Sequence, residues 1–152
     1  MKTTHVARGR LSWGILLAVL LTGTLPSEGE SQTIATSPDE PLAINLDEVA
    51  WGPPGNTPRF PQGVRTAQLG VDPDNGGPTY YALFPAGSHF DLHWHTHAEH
   101  VAVMSGEVTI VLGEETYSLS TGGYIVIPGE MNHSWDVPSG GADAVILVRR
   151  RG

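Results

Sequence analysis

The chain of 152 residues contains no cysteine, and Lys2 is its only lysine. Without cysteine there is no disulfide, no thiolate ligand for a metal and no side chain for lipid attachment. The absence says little about compartment, because an oxidising environment permits disulfides without requiring them. We therefore expect a hydrophobic core to stabilise the fold without disulfides.

Positive charge is also scarce. Asp and Glu total 16 against 8 Lys and Arg, which gives a formal net charge of −8 at pH 7. Loss of an N-terminal segment over residues 1–31 would remove three cations and two carboxylates, leaving the remainder one unit more acidic. Such a surface repels polyanions, so we expect neither nucleic acid nor an anionic membrane as a partner.

No stretch beyond the N-terminal region shows a helical period of apolar residues. Short runs rich in β-branched and aromatic residues alternate instead with turns rich in Gly, Pro, Asn and Asp. Many short strands at regular spacing predict a single all-β domain, a sandwich or barrel. The predicted strands are residues 42–51, 64–71, 79–84, an extended 100–104, 108–112, 116–119, 124–127, 133–137 and 142–148.

The N-terminus carries three cationic residues and then an apolar run over residues 11–25. A membrane-spanning helix needs about 20 apolar residues, so this run fits the hydrophobic region of a signal peptide better. We predict a signal peptide over 1–31 and a linker or N-terminal arm over 32–41. The mature domain would be secreted or periplasmic and free of the membrane after cleavage, with retention as a membrane anchor as the alternative.

Histidine is concentrated in one place. His93, His95 and His97 alternate along the chain, and Glu99 follows them. Side chains two apart on a strand share a face, so His93 and His95 project together, and Glu99 joins them if the strand turns or bulges nearby. Neutral imidazoles with a carboxylate suit a divalent transition metal. The alternative is a polar strand that faces solvent and binds nothing.

These residues match the first cupin motif at every fixed position. Gly87 is followed after five residues by His93, after one more by His95, after three by Glu99 and after six by Gly106. The sequence therefore resembles the cupin superfamily. That family has a second motif, which supplies a further histidine from a neighbouring strand.

The second motif is present in a divergent form. Gly122 is followed after five residues by Pro128, and His133 stands five positions after the proline, as the family spacing requires. Glu130 replaces the usual glycine, and Val137 stands where asparagine is common. We expect the missing glycine to alter the turn before His133 more than the histidine itself.

The resemblance implies a double-stranded β-helix, the cupin jelly roll, over residues 42–149. It also implies one divalent transition metal per chain, held by His93, His95, Glu99 and His133. Such a set leaves coordination positions open for substrate, water or oxygen. The ligands alone are compatible with copper, iron, manganese, zinc or nickel.

Two residues are candidate catalytic groups, Glu99 and His97. Glu99 is predicted to take part in the chemistry as well as in metal binding. His97 shares strand parity with the ligands, and histidine is a side chain that commonly transfers protons in active sites. It could therefore be a further ligand, a donor to a ligand or a proton shuttle, and the alternative is an ordinary surface histidine.

Strand parity sends Phe90, Leu92 and Trp94 away from the ligand face. Three large apolar side chains facing water indicate a covered surface. We predict that a second subunit, forming a homodimer, or the N-terminal arm covers them. A platform for substrate is the alternative.

The predicted export narrows the range of substrates and cofactors that the protein could use. Nucleotide sugars, CoA esters and nicotinamide cofactors are scarce outside the cytoplasm, whereas oxygen, peroxide, polysaccharides and phenolics are available. The first hypothesis is a copper or iron oxidoreductase that uses oxygen or peroxide on a plant-derived small molecule or polysaccharide, by oxidative chain cleavage or phenolic or flavonol oxygenation. The alternatives are a non-redox lyase, decarboxylase or isomerase, and a non-catalytic metal- or sugar-binding protein, because the fold does not decide among them.

Overall fold

A computed structural model describes residues 41–55 and 60–151 of the chain. Nine strands within these residues form two antiparallel sheets. Their bounds are β1 Arg65–Val71, β2 Pro78–Phe84, β3 His89–His93, β4 Glu99–Ser105, β5 Glu107–Leu112, β6 Glu115–Ser120, β7 Tyr124–Ile127, β8 His133–Asp136 and β9 Ala144–Arg150.

The larger sheet has the strand order β1-β2-β9-β4-β7, and the smaller sheet has the order β3-β8-β5-β6. Neighbours in each sheet are mostly distant in sequence, so the chain passes repeatedly from one sheet to the other. In particular, β3 belongs to the smaller sheet and β4 to the larger one, so the connection between them joins the two. This arrangement confirms the predicted all-β jelly roll.

The core lies between the inner faces of the two sheets. Alternate residues of β4, β5 and β9 point into it, as the period of two along a strand requires. The sheets are therefore held together by branched aliphatic side chains from both layers. Six of these are almost wholly shielded from solvent: Val101, Val103, Val108, Ile110, Ile146 and Val148.

The strand predicted over residues 42–51 is wrong. The structure has a short 3-10 turn there, Leu46–Glu48, and no strand. Both the main-chain NH and the Nδ2 amide of Asn45 donate to Oε2 of Glu48, at 3.0 and 2.9 Å, which bends the chain instead of extending it. Val49 then joins a second apolar cluster on the outer face of the larger sheet, with Ala67, Tyr81 and Val145.

The predicted signal peptide, residues 1–31, lies outside the described residues, as does nearly all of the predicted linker over 32–41. Signal peptide, linker and export therefore stay predictions. In the part of the chain that the structure does describe, no helix has the length and apolar character needed to cross a membrane.

Candidate metal site

Two histidines of the site come from neighbouring strands of the smaller sheet. His93 ends β3 and pairs with His133, the first residue of β8. Nδ1 of His93 donates to the main-chain oxygen of Asp91 at 2.7 Å, and Nδ1 of His133 donates to that of Met131 at 2.9 Å. A carbonyl oxygen only accepts, so each ring carries its hydrogen on Nδ1 and keeps the Nε2 lone pair free.

A β-bulge brings His93 into this position. Phe90 pairs with Trp135 and His93 pairs with His133, so β3 holds one residue more than β8 over the same span. The extra residue reverses the strand parity between Phe90 and His93. Their rings consequently stack on the same side of the sheet, with centroids 4.0 Å apart.

The bulge corrects one sequence prediction. Phe90 does not face outward with its neighbours, because it is partly buried and packs against the core. Leu92 and Trp94 are exposed as predicted, at 67% and 56% of their surface. The outward apolar surface therefore rests on two residues instead of three.

His95 and Glu99 complete the cluster from the side of the larger sheet. His95 lies in the connection between β3 and β4, and one ring nitrogen from each of His93, His95 and His133 lies within 4.8 Å of the others. Glu99, the first residue of β4, is buried, and its Oε2 atom is 3.6 Å from Nε2 of His95 and 4.0 Å from Nε2 of His133. The structure thus clusters the three predicted histidine ligands, with the Glu99 carboxylate beside two of them.

The imidazoles of the cluster are held neutral. Burial lowers the pKa of His93 and of His133, and burial together with the nearby charge of Arg150 lowers the pKa of His95 to about 4. A metal ligand must offer a neutral imidazole, so at neutral pH these three rings need lose no proton to bind an ion. Burial also raises the pKa of Glu99 to about 7, against the opposing effect of Arg150.

The donor set fits a metal ion. Nε2 of His133 is fully buried and has no hydrogen-bond partner among the described residues, which is rare for a buried polar atom and is explained by a ligand at that point. Three imidazole nitrogens beside a carboxylate are typical ligands of divalent transition metals. These residues can therefore hold such an ion.

The loop between β7 and β8 fixes the position of His95. The main-chain NH of Glu130 donates to the His95 oxygen at 2.7 Å. Glu130 has φ of 63°, the left-handed conformation that glycine adopts readily, so the turn keeps the geometry of the usual motif despite the substitution. At Gly129 a Cβ atom would lie 2.6 Å from the Thr96 oxygen, so glycine permits this close contact.

A cavity of about 60 Å³ opens beside the cluster, between the two sheets. Its lining is mostly apolar. Tyr80 adds a hydroxyl, and burial, with the negative charge of Glu99, raises the pKa of Tyr80 to about 12, so it stays protonated. The residues that line the cavity include Tyr80, Phe84, Phe90, Trp135, Ile146 and Val148.

Arg150 is a site residue that the sequence analysis missed. Its Nη1 atom donates to Nδ1 of His95 at 3.2 Å, and its Nε atom lies 3.8 Å from Oε1 of Glu99. The guanidinium also lies over the ring of Tyr80, 5.7 Å from the centroid. The parity of β9 could have revealed it, because Arg150 follows the buried Val148 by two positions.

His97 lies apart from the nitrogen cluster. It is exposed in the connection between β3 and β4 and lines grooves on the outer surface. The parity argument does not reach it, because β3 ends at His93. Its catalytic role stays a prediction.

The sequence profile of the family described as "Cupin domain" matches residues 80–148. That segment runs from β2 to β9 and contains both histidine motifs and the whole ligand cluster. The chain therefore contains a cupin domain. No curated protein matches this cupin.

Solved structures share the fold of this cupin. A cupin 2 conserved barrel domain protein from Rhodopseudomonas palustris is 21% identical with a TM-score of 0.62, over 73% of this chain and 79% of that one. A putative ethanolamine utilization protein Q from Salmonella typhimurium is 16% identical with a TM-score of 0.57, over 72% and 84% of the two chains. KdgF from Halomonas sp. is 19% identical with a TM-score of 0.55, over 71% and 93%. At these identities the likeness is one of fold.

Proposed function

We propose that this cupin is an exported metal-dependent oxidoreductase that uses oxygen or peroxide to oxidise a small, plant-derived molecule. The observation that carries the metal is the cluster of His93, His95 and His133 with Glu99 beside it. Export rests on the N-terminal sequence pattern. When bound, copper or iron would supply the electron transfer that oxygen chemistry needs.

The protein side chains have separate tasks in this proposal. The Nδ1 hydrogen bonds of His93 and His133 fix the orientation of their rings and leave Nε2 free, so these two atoms would hold the ion. Glu99 supplies a carboxylate that ligates the ion or holds a proton beside it. The apolar lining of the cavity offers water few hydrogen-bond partners, which would strengthen the electrostatic interactions beside the ligands.

The burial of two of the four candidate ligands favours a small substrate over a polysaccharide. His133 is completely buried and Glu99 nearly so, whereas oxidative cleavage of a long chain needs a metal on an exposed face. A cavity of about 60 Å³ accommodates oxygen, peroxide or one end of a small molecule. A phenolic or flavonol substrate is therefore preferred within the proposal.

Elemental analysis followed by oxygen-electrode assays tests the proposal. Protein purified from its native compartment should hold about one copper or iron per chain and take up oxygen with a phenolic substrate. His133→Ala should lose both metal and uptake, while His100→Ala, whose ring contacts Tyr124 on the surface, should retain both. Native zinc without oxygen uptake on any phenolic or polysaccharide would eliminate the oxidoreductase, because zinc has no accessible redox change.

One observation supports a second candidate, a non-redox lyase, decarboxylase or isomerase. Burial raises the pKa of Glu99 to about 7, which suits a general acid or base at neutral pH. A bound metal would then act as a Lewis acid without changing its oxidation state. Turnover of a substrate at an unchanged rate under anaerobic conditions, with zinc as the only metal, would favour this candidate over the first.

A further inference from the structure

Arg150 stands between the metal cavity and the outside. Arg150 and His95 line both the apolar cavity and an outer groove of about 350 Å³. Trp94, His97 and Arg151 also line the groove, so it combines cationic and aromatic side chains. A ligand in the groove can therefore reach the cluster only past Arg150 and His95.

The hydrogen bond between Arg150 and His95 is incompatible with metal binding by His95. A guanidinium only donates, so Nδ1 of His95 accepts the bond and the ring hydrogen is on Nε2. A metal on Nε2 would move that hydrogen to Nδ1 and place two donors against each other. A metal on Nδ1 would take the lone pair that Arg150 now uses. In both cases Arg150 must release His95.

The released guanidinium has few acceptors nearby. Its Nε atom is buried without a hydrogen-bond partner among the described residues, and Oε1 of Glu99 is too distant at 3.8 Å to serve. Arg149 differs, because it pairs with Asp72 at 2.6 Å. The chain as a whole has a net charge of −8, whereas Arg150 and Arg151 give this groove a positive charge.

We propose that Arg150 binds the carboxylate of a small organic acid in this groove, once a metal at the histidine cluster has displaced it from His95. The inference rests on the metal site of the proposed function and adds a substrate class, an organic anion with an aromatic body. A planar guanidinium matches a carboxylate with two parallel hydrogen bonds, which fixes orientation as well as affinity. The organic acid is therefore a ligand of the metal-loaded protein.

Calorimetry with benzoate and zinc tests this without any activity assay, because zinc is redox-silent. Zinc-loaded wild type should bind benzoate at least about tenfold more tightly than the metal-free protein does, and more tightly than neutral benzamide. Arg150→Gln, loaded with the same zinc content, should lose at least about tenfold in benzoate affinity. Arg150→Lys should recover part of it, and Arg149→Gln should behave as wild type.

Equal benzoate affinity in zinc-loaded Arg150→Gln and wild type overturns the inference and leaves the metal site intact, because direct coordination by the ion would then explain all the binding. Failure of wild type to take up zinc at His93, His95 and His133 overturns both the metal site and the inference. Thermal melts of each variant separate loss of binding from loss of fold, and the lysine variant keeps the test decisive if the glutamine variant is unstable.

Discussion

His93 of β3 and His133 of β8 face each other across a bulged strand pair, with ring centroids 4.1 Å apart. Each ring donates from Nδ1 to the carbonyl two residues before it, at Asp91 and at Met131. The two rings are thus oriented by the same local device, one on each strand. Both Nε2 atoms are therefore free to coordinate one metal ion.

Metal content is the first prediction. We expect about one transition-metal ion per chain. His95→Ala should lower metal content and thermal stability together, because a metal that binds only the folded state adds about 4 kcal/mol to the free energy of unfolding when its free concentration is 1,000 times Kd. Elemental analysis and thermal melts with and without chelator measure the two effects. His100→Ala is the matched control. Stoichiometric metal in a His93→Ala, His95→Ala double variant would disprove the site.

The second prediction concerns pH and the metal-free protein. Burial raises the pKa of Glu99 to about 7 from 4.5, so the folded state binds this proton more tightly than the unfolded state does. The resulting stability is fully present below about pH 4.5 and is lost as pH rises through about 7. The glutamine of Glu99→Gln cannot ionise. As pH rises from 4.5 to 8, the free energy of unfolding of this variant should therefore increase by about 1–3 kcal/mol relative to that of wild type.

Urea denaturation in the presence of chelator, at several pH values, measures that difference. The lowered pKa of His95 has the opposite sign, since its contribution is lost as pH falls through about 4, but it is present in both proteins and largely cancels. The exposed Glu107→Gln variant is the control. If the free energies of unfolding of Glu99→Gln and wild type changed with pH in parallel, the prediction would be wrong, because folding would then leave the pKa of Glu99 unchanged.

The third prediction concerns Glu130, which adopts φ of 63°. A side chain in this conformation is strained, so Glu130→Gly should raise the free energy of unfolding by about 0.5–1 kcal/mol after the added chain entropy is counted. Glu130→Ala should give no such gain, because alanine meets the same strain. Chemical denaturation compares the three proteins, and an alanine variant as stable as the glycine variant would argue against strain at this turn.

The fourth prediction concerns assembly. Leu92 remains exposed on the outer surface, and we expect a second subunit to cover it in a homodimer, whereas Trp94 lines the groove beside Arg150. Leu92→Glu should then give a monomer in light scattering with its metal content unchanged. Val126→Glu, an exposed apolar position on β7, should stay dimeric. A wild-type monomer at high concentration would contradict the homodimer.

Sequence pattern predicted most strands because their limits are set locally. The bounds of β7 agree with the prediction, and the hairpin of β5 and β6 turns at Gly113, whose φ is 62°. Glycine and proline mark such turns whatever the rest of the chain does. Residues 42–51 were mispredicted because Asn45 and Glu48 make side-chain hydrogen bonds that compete with an extended backbone.

The site was predicted only in part, since two of its features depend on distant partners. The bulge between Phe90 and His93 exists only in the register that β3 takes against β8, so parity along one strand could not place Phe90. Arg150 reaches His95 because β9 pairs with β4 in the larger sheet. Motif spacing along the chain groups only His93, His95 and Glu99, whereas His133 reaches them because β8 pairs with β3 and was expected from the family resemblance.

The pairing of β3 with β8 has a consequence for biogenesis. The chain between His93 and His133 includes β4 to β7, so the ligand set is incomplete until distant parts of the jelly roll have closed. A metal ion bound there would therefore be acquired late, from whatever pool surrounds the nearly folded chain. Imidazole and carboxylate donors discriminate weakly among first-row metals, so the place of folding selects the metal as much as the ligands do. Overproduction in a foreign compartment would be expected to load the same ligands with a different ion.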